Sequence, residues 1–172
     1  MTVFNTRTDL DSAINAWVED EAAATARYGD INNWDVSGIT DFSNLFMRKR
    51  TFNSDISNWD VSSGTDFRYM FYEADAFNQN ITNWQVSDTA TLTDMFSSAE
   101  LMLSNYGLGS TPTSSEFNRT IFTDRNSLDA AITAWIADET AATATYGDIN
   151  TWDVRAITDF SNLFQNKATF NS

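Results

Sequence analysis

The sequence predicts an α/β solenoid of short parallel strands and short helices, with an amphipathic helix ahead of each module. Three observations carry this expectation. A pattern recurs every 25 residues, a longer one recurs every 118 residues, and the apolar positions keep their places from one repeat to the next.

The short period is carried by Trp34-Asp35-Val36, Trp59-Asp60-Val61 and Trp84-Gln85-Val86. Leu45-Phe46, Met70-Phe71 and Met95-Phe96 follow at the same step, as do Phe52-Asn53 and Phe77-Asn78. The long period brings the stretch from Arg7 to Ser54 back as Arg125 to Ser172, with roughly two-thirds of positions identical. The organisation expected is a complete module over residues 1–120, with a helix at 8–28, rungs at about 30–103 and a linker at 104–120. A second, homologous module starts at 121–172 and stops in mid-repeat at Thr169-Phe170-Asn171-Ser172, as expected of a piece of a longer array.

Within a rung, the alternation Trp-x-Val predicts a short half-buried strand. With the Ile three residues earlier (Ile31, Ile56, Ile81), the spacing is that of the core of a leucine-rich repeat. After it, Thr40 or Asp41 is expected to cap a helical turn or two that puts Phe42, Leu45 and Phe46 on one face. Thr65-Asp66 does the same for Phe67, Met70 and Phe71. One such unit cannot bury its own Trp and Phe, but a stack can. Asn53 and Asn78 are placed to hydrogen-bond backbone from rung to rung.

Ahead of the rungs, Leu10, Ala13, Ile14, Trp17 and Val18 recur at helical spacing, with Thr8 or Asp9 as cap and Gly29 as stop. The second copy runs over Leu128, Ala131, Ile132, Trp135 and Ile136, with Ser127 as cap. This helix is expected to cover the end of the stack. The stretch from Ser104 to Ser115 reads as loop or linker.

Composition excludes several classes of function. The net charge of −14 and a pI near 4.1 argue against nucleic acid and against an anionic membrane surface. There is no cysteine and no histidine, so a disulfide, a thiolate metal site, a Cys nucleophile and a His base are all absent. No apolar run reaches the length of a membrane span, and no signal peptide is visible at Met1-Thr2-Val3-Phe4.

The runs Ile56-Ser57-Asn58-Trp59-Asp60-Val61-Ser62, Phe71-Tyr72-Glu73-Ala74-Asp75-Ala76-Phe77-Asn78-Gln79-Asn80 and Thr40-Asp41-Phe42-Ser43 resemble a known repeat. They are similar to the BspA-like leucine-rich repeats of bacterial and mycoplasma surface proteins. The resemblance implies a right-handed solenoid on a cell or virion surface, with adhesion or host contact as its use. It supplies no catalytic residues, and it does not account for the amphipathic helix or the 118-residue period.

The candidate ligand-binding residues are those expected on the exposed strand face: Asp35, Asp60, Gln85 and Asp153, flanked by Asn33, Asn58 and Asn83 and by Ser37, Ser62 and Ser87. Such a face can bind sugar hydroxyls or a hard cation such as calcium; a solvated face whose Asp residues cap local turns is the simpler reading of the same residues. Asp20, Glu21, Asp138 and Glu139 are expected to be solvated, and the six Trp to be core. No catalytic residue, resident metal or cofactor is expected. Paired carboxylates can do glycosidase work, but here they repeat with the fold, and Glu100 and Glu116 lack a partner base. The reading is an extracellular or cell-surface binding and adhesion module, meeting a protein or glycan on another cell. The alternative is a structural spacer in a stalk or fibre. Chain-to-chain stacking through an open C-terminal rung is a further expectation.

Overall fold

The structure is a computed structural model that describes residues 1–165 and residue 167. The expected stop in mid-repeat, and the rung edge at Thr169 to Ser172, lie outside the described residues. The chain divides into two compact units, Met1–Phe117 and Asn118–Ser172. Five α-helices are present among the described residues: α1 (Arg7–Glu19), α2 (Glu21–Tyr28), α3 (Glu100–Tyr106), α4 (Arg125–Ala137) and α5 (Glu139–Tyr146).

The amphipathic segment is two helices rather than one. Asp20 is extended (φ −151°, ψ 96°); its N–H closes α1 on the Ala16 carbonyl and its carboxylate accepts the Ala23 N–H to open α2. Asp138 repeats this between α4 and α5. Asp20 is exposed, as expected, but it caps two helices instead of lying within one. The caps of the first helices are Thr6 and Asp124, each one turn earlier than the sequence suggested. Gly29 closes α2 at φ 76°, where a side chain would be strained.

The expected α/β solenoid of leucine-rich-repeat type is not what forms. Among the described residues there is no strand and no sheet, only isolated parallel bridges: Val3 with Asp35, Asp41 with Asp66, Asp66 with Thr91, and Ile121 with Asp153. The reason lies in where the backbone bonds go. Trp34-Asp35-Val36 and Trp59-Asp60-Val61 alternate buried and outward side chains, yet they do not pair with each other. Asp35 and Asp60 instead turn the chain, each accepting the N–H and the hydroxyl of the Ser two residues on (3.0 and 2.6 Å in both rungs).

The predicted helical turns are also absent. From Phe42 to Lys49 the N–H groups serve two purposes in alternation. Those of Leu45, Met47 and Lys49 close turns on the carbonyls three residues back, at 3.0–3.3 Å. Those of Phe42, Asn44, Phe46 and Arg48 cross to Asp66, Arg68, Met70 and Tyr72 of the next rung, at 2.7–2.9 Å. Phe67, Tyr69, Phe71 and Glu73 repeat the crossing to Thr91, Thr93, Met95 and Ser97. The geometry requires a left-handed residue at every fourth position: Asn44 and Arg48, Tyr69 and Glu73, Asp94 and Ser98, at φ between 52° and 62°. A ribbon of consecutive turns has nearly the same apolar spacing as a helix, which is why the spacing alone predicts one.

Side chains complete the stack. Phe42 lies on Phe67 at 5.2 Å, Phe46 on Phe71 at 5.2 Å, and Phe71 on Phe96 at 5.5 Å, all with nearly parallel rings. Trp59 Nε1 donates to the Ile31 carbonyl (2.8 Å) and Trp84 Nε1 to the Ile56 carbonyl (3.2 Å), so the buried indoles leave no donor unmet. Asn53 Oδ1 accepts the Asn78 N–H at 2.8 Å, the rung-to-rung bond expected of it. Gly64 is held by close packing: a Cβ there would stand 2.3 Å from the Phe67 ring.

Both ends of the rung stack in the first unit are closed. Trp17 meets Trp34 edge-on at 5.6 Å, and Arg7 donates to the Asp41 and Ser43 carbonyls at 3.0 and 2.7 Å, fixing the helices to the first rung. At the other end, α3 takes the first residues of the stretch expected to be linker. Beyond it, the Ser110 carbonyl accepts the Phe96 N–H, Thr111 Oγ1 accepts the Asp94 N–H, and Phe117 packs on Phe96. That stretch is a cap. In the second unit, Arg125 donates to the Asp159 and Ser161 carbonyls as Arg7 does to theirs. Phe160 and Phe164 are about half exposed, whereas their counterparts Phe42 and Phe46 are fully buried under the following rung.

Candidate functional site

The residues expected on a binding face are only partly brought together. Asn58, Asp60, Asn83 and Gln85 line a depression of about 470 Å³ with Ser57 and Ser62. Asp35 and Asn33 do not line it. Asp35 sits at the edge of rung 1, where its main chain bonds Thr2 and Phe4. Its carboxyl group is held below the usual range by the Ser37 hydroxyl, then by the Ser37 N–H. Asp153 is in the second unit; it is 5% exposed and clamped by Arg155. Asn83 Nδ2 donates to the Ser57 carbonyl at 3.0 Å, while its buried Oδ1 has no partner. In the second copy Asn33 becomes Thr151 and Ser37 becomes Arg155. This face is thus a row of turns in which Asp35 and Asp60 each spend one oxygen on the Ser two residues on, and it differs between the two modules.

A larger concavity lies elsewhere. The end of α1 and α2 face the first rung, and between them is a groove of about 760 Å³. Trp17, Val18, Glu21 and Thr25 come from the helices, Asp30, Ile31 and Asn32 from the turn that enters rung 1, and Thr51 to Asp55 from its return. The walls are positioned by the bonds that make the fold. Trp17 Nε1 donates to Ser54 Oγ at 2.9 Å, tying helix to rung across the groove. Asp30 Oδ1 accepts the Asn32 N–H at 2.8 Å, and Asn32 Nδ2 donates to Asp55 Oδ2 at 2.8 Å. Asn53 is held by Asn78 and Gln79 of the second rung.

Thr25, Thr51 and Ser54 are not picked out by any sequence pattern, and Glu21 reads there only as a solvated charge. Some exposed positions drift between the two copies: Asn15 becomes Thr133, Glu19 becomes Ala137, Arg27 becomes Thr145, while Asp20, Thr40, Asp41 and Asn44 outside the groove are kept. The polar groove positions do not drift. Glu21, Thr25, Asp30 and Asn32 recur as Glu139, Thr143, Asp148 and Asn150, and Thr51, Asn53 and Ser54 recur as Thr169, Asn171 and Ser172.

The chemistry available is binding chemistry. The groove has three carboxylates (Glu21, Asp30, Asp55), amides and hydroxyls, and no Lys or Arg lines it. Among the described residues no group of three or more acidic side chains converges as a metal cage requires. No helix among them is long and apolar enough to cross a membrane.

The model of one family, described as Mycoplasma protein of unknown function, DUF285, matches residues 19–135 and again 136–172. The chain belongs to this family. The two DUF285 stretches begin at nearly equivalent points of the 118-residue period, at the end of α1 and within the last turn of α4. The matched stretches include α2 and α5 and the residues that follow each of them. No curated protein and no solved structure matches the chain.

Proposed function

We propose that the chain is a non-catalytic binding module of a repeat-built cell-surface or extracellular protein, and that it binds through the groove between the α1–α2 hairpin and the first rung. The observation that carries this reading is the groove itself. A polar cleft of about 760 Å³ has walls fixed by helix-to-rung bonds, and its exposed polar residues recur in the second module while some neighbouring surface residues change. The lack of His and Cys supports a binding role over a catalytic one. The resemblance to BspA-like surface-protein repeats supports the location and the use in adhesion.

A spacer role in a stalk or fibre is the second reading, favoured by the close likeness of the two copies. Filling the groove separates the two. Thr51 is exposed on the groove wall, so Thr51→Trp adds bulk without disturbing the core. The expected result is a glycan or peptide captured from an array by the native chain and released by Thr51→Trp, with an unchanged melting curve. Capture that survives the substitution contradicts the groove reading, and an array on which the native chain captures nothing favours the spacer.

A further inference from the structure

We propose that the groove takes an extended, cationic peptide segment whose Lys or Arg side chains meet Glu21, Asp30 and Asp55, rather than a glycan. The inference rests on the groove being the binding site. Three features of its walls point to the class of ligand.

The first is charge. The groove presents three carboxylates and no basic side chain, in a chain of net charge −14. A cation gains from that field, and a neutral sugar gains nothing from it. Glu21 has no ion pair or side-chain hydrogen bond among the described residues, and Asp30 uses one oxygen for its turn. Both carboxylates keep acceptor capacity for an ammonium or a guanidinium.

The second is the state of the aromatic rings. Trp17 and Phe52 line the groove but are 5% and 4% exposed, and the Trp17 indole N–H is already donated to Ser54. No ring face is open for a sugar to stack on. Val18, 38% exposed, instead offers an apolar ledge for the methylene stem of a long cationic side chain.

The third is the shape of the polar lining. Thr25 and Thr51 stand on opposite walls, one from the helix and one from the rung, and Asn53 keeps its amide donor. Donors and acceptors on both sides of a cleft suit an extended main chain, which presents both. Glu21 and Asp30 recur as Glu139 and Asp148.

The test uses the whole chain and three probes in calorimetric titration: a blocked Lys-Gly-Lys-Gly-Lys peptide, free spermine, and a neutral chito-oligosaccharide. One variant combines Glu21→Gln, Asp30→Asn and Asp55→Asn, in which the Asn residues keep the turn acceptors. A charge-matched control combines Glu19→Gln, Asp60→Asn and Glu100→Gln outside the groove. The peptide is expected to bind the native chain and the control alike, to weaken with added salt, and to lose roughly tenfold or more in affinity on the groove variant. Equal weakening on the control reduces the effect to net charge and overturns the proposal. Spermine binding as tightly as the peptide overturns the peptide assignment in favour of a free polyamine. Oligosaccharide binding that survives the charge variant but is lost in Thr51→Trp overturns the ligand class and leaves the groove standing. Binding of any probe that survives Thr51→Trp overturns the groove itself, and no binding of the peptide overturns the inference.

Discussion

Each rung bends where an Asp or Asn accepts the N–H two residues ahead. Asp30, Asp55 and Asn80 do so at the first corner, Asp35 and Asp60 at the second, and Asp41 and Asp66 at the third. From sequence, an oxygen-rich row at a fixed step reads as a ligand face as readily as a row of turns, because both need small side chains with acceptor atoms. The structure shows that each of these side chains makes its own turn, in the groove residues Asp30 and Asp55 as in Asp35 and Asp60, so engagement in a turn does not by itself separate one face from the other. Such engagement has a pH signature at Asp66, whose carboxylate takes hydrogen bonds from the Arg68 guanidinium and from the Arg68 N–H, and so titrates below its ordinary value. A carboxyl group depressed on folding contributes stability that is fully present above its unfolded pKa, about 3.9, and is lost as the pH falls through the lower folded value. Chemical denaturation of the native chain and of Asp66→Asn at a series of pH values is therefore expected to show a stability gap that is constant at neutral pH and closes in acid below about pH 4. A gap that persists or widens in acid contradicts this account.

At the scale of the element, the positions of the buried residues were legible and the backbone that carries them was not. The 25-residue step placed Trp34, Phe42, Phe46 and their counterparts in the core, where they are found. The strand failed because Trp-x-Val alternation reports which side chains are buried, not where the N–H groups go. The short helix failed because a turn ribbon with left-handed residues at Asn44 and Arg48 also puts i, i+3 and i+4 on one side. Nothing in side-chain pattern announces a left-handed Arg, Tyr or Glu. The break at Asp20 was legible in principle, since Asp followed by Glu is a helix start as well as a surface pair. Without sheet or long helix, the stack depends on its rings. Phe71 touches Phe46, Phe77, Phe96 and Trp84, at centroid distances of 5.2, 4.2, 5.5 and 6.4 Å. Phe71→Ala is expected to cost about 3–5 kcal/mol in denaturant titration. A loss below about 1 kcal/mol, the scale of a single aromatic pair, contradicts a core built on ring columns.

At the scale of the molecule, the two nested periods follow from what a rung lacks. One rung cannot bury its Phe and Trp, so the first unit stacks three, covers the first with a helical hairpin and closes the third with α3 and the turns from Ser110 to Phe117. α1 packs the face of Leu10, Ala13, Ile14 and Trp17 into the core of the rungs, whereas α2 buries only Ala24, and the groove lies where the end of α1 and α2 face the turn into rung 1 and its return. The site was hidden from sequence because its walls come from segments some 30 residues apart with no shared motif. The constancy of its polar residues between the two copies is shared with exposed residues outside it, such as Thr40 and Asn44. The proposed groove and the row of turns at Asn58, Asp60, Asn83 and Gln85 are told apart by backbone amide shifts of the whole chain, followed by NMR during titration with the lysine-containing peptide. Perturbations are expected to gather at residues 17–32 and 51–55, with the Trp17 indole N–H among them. Perturbations gathered instead at residues 57–62 and 83–85 would contradict the groove reading.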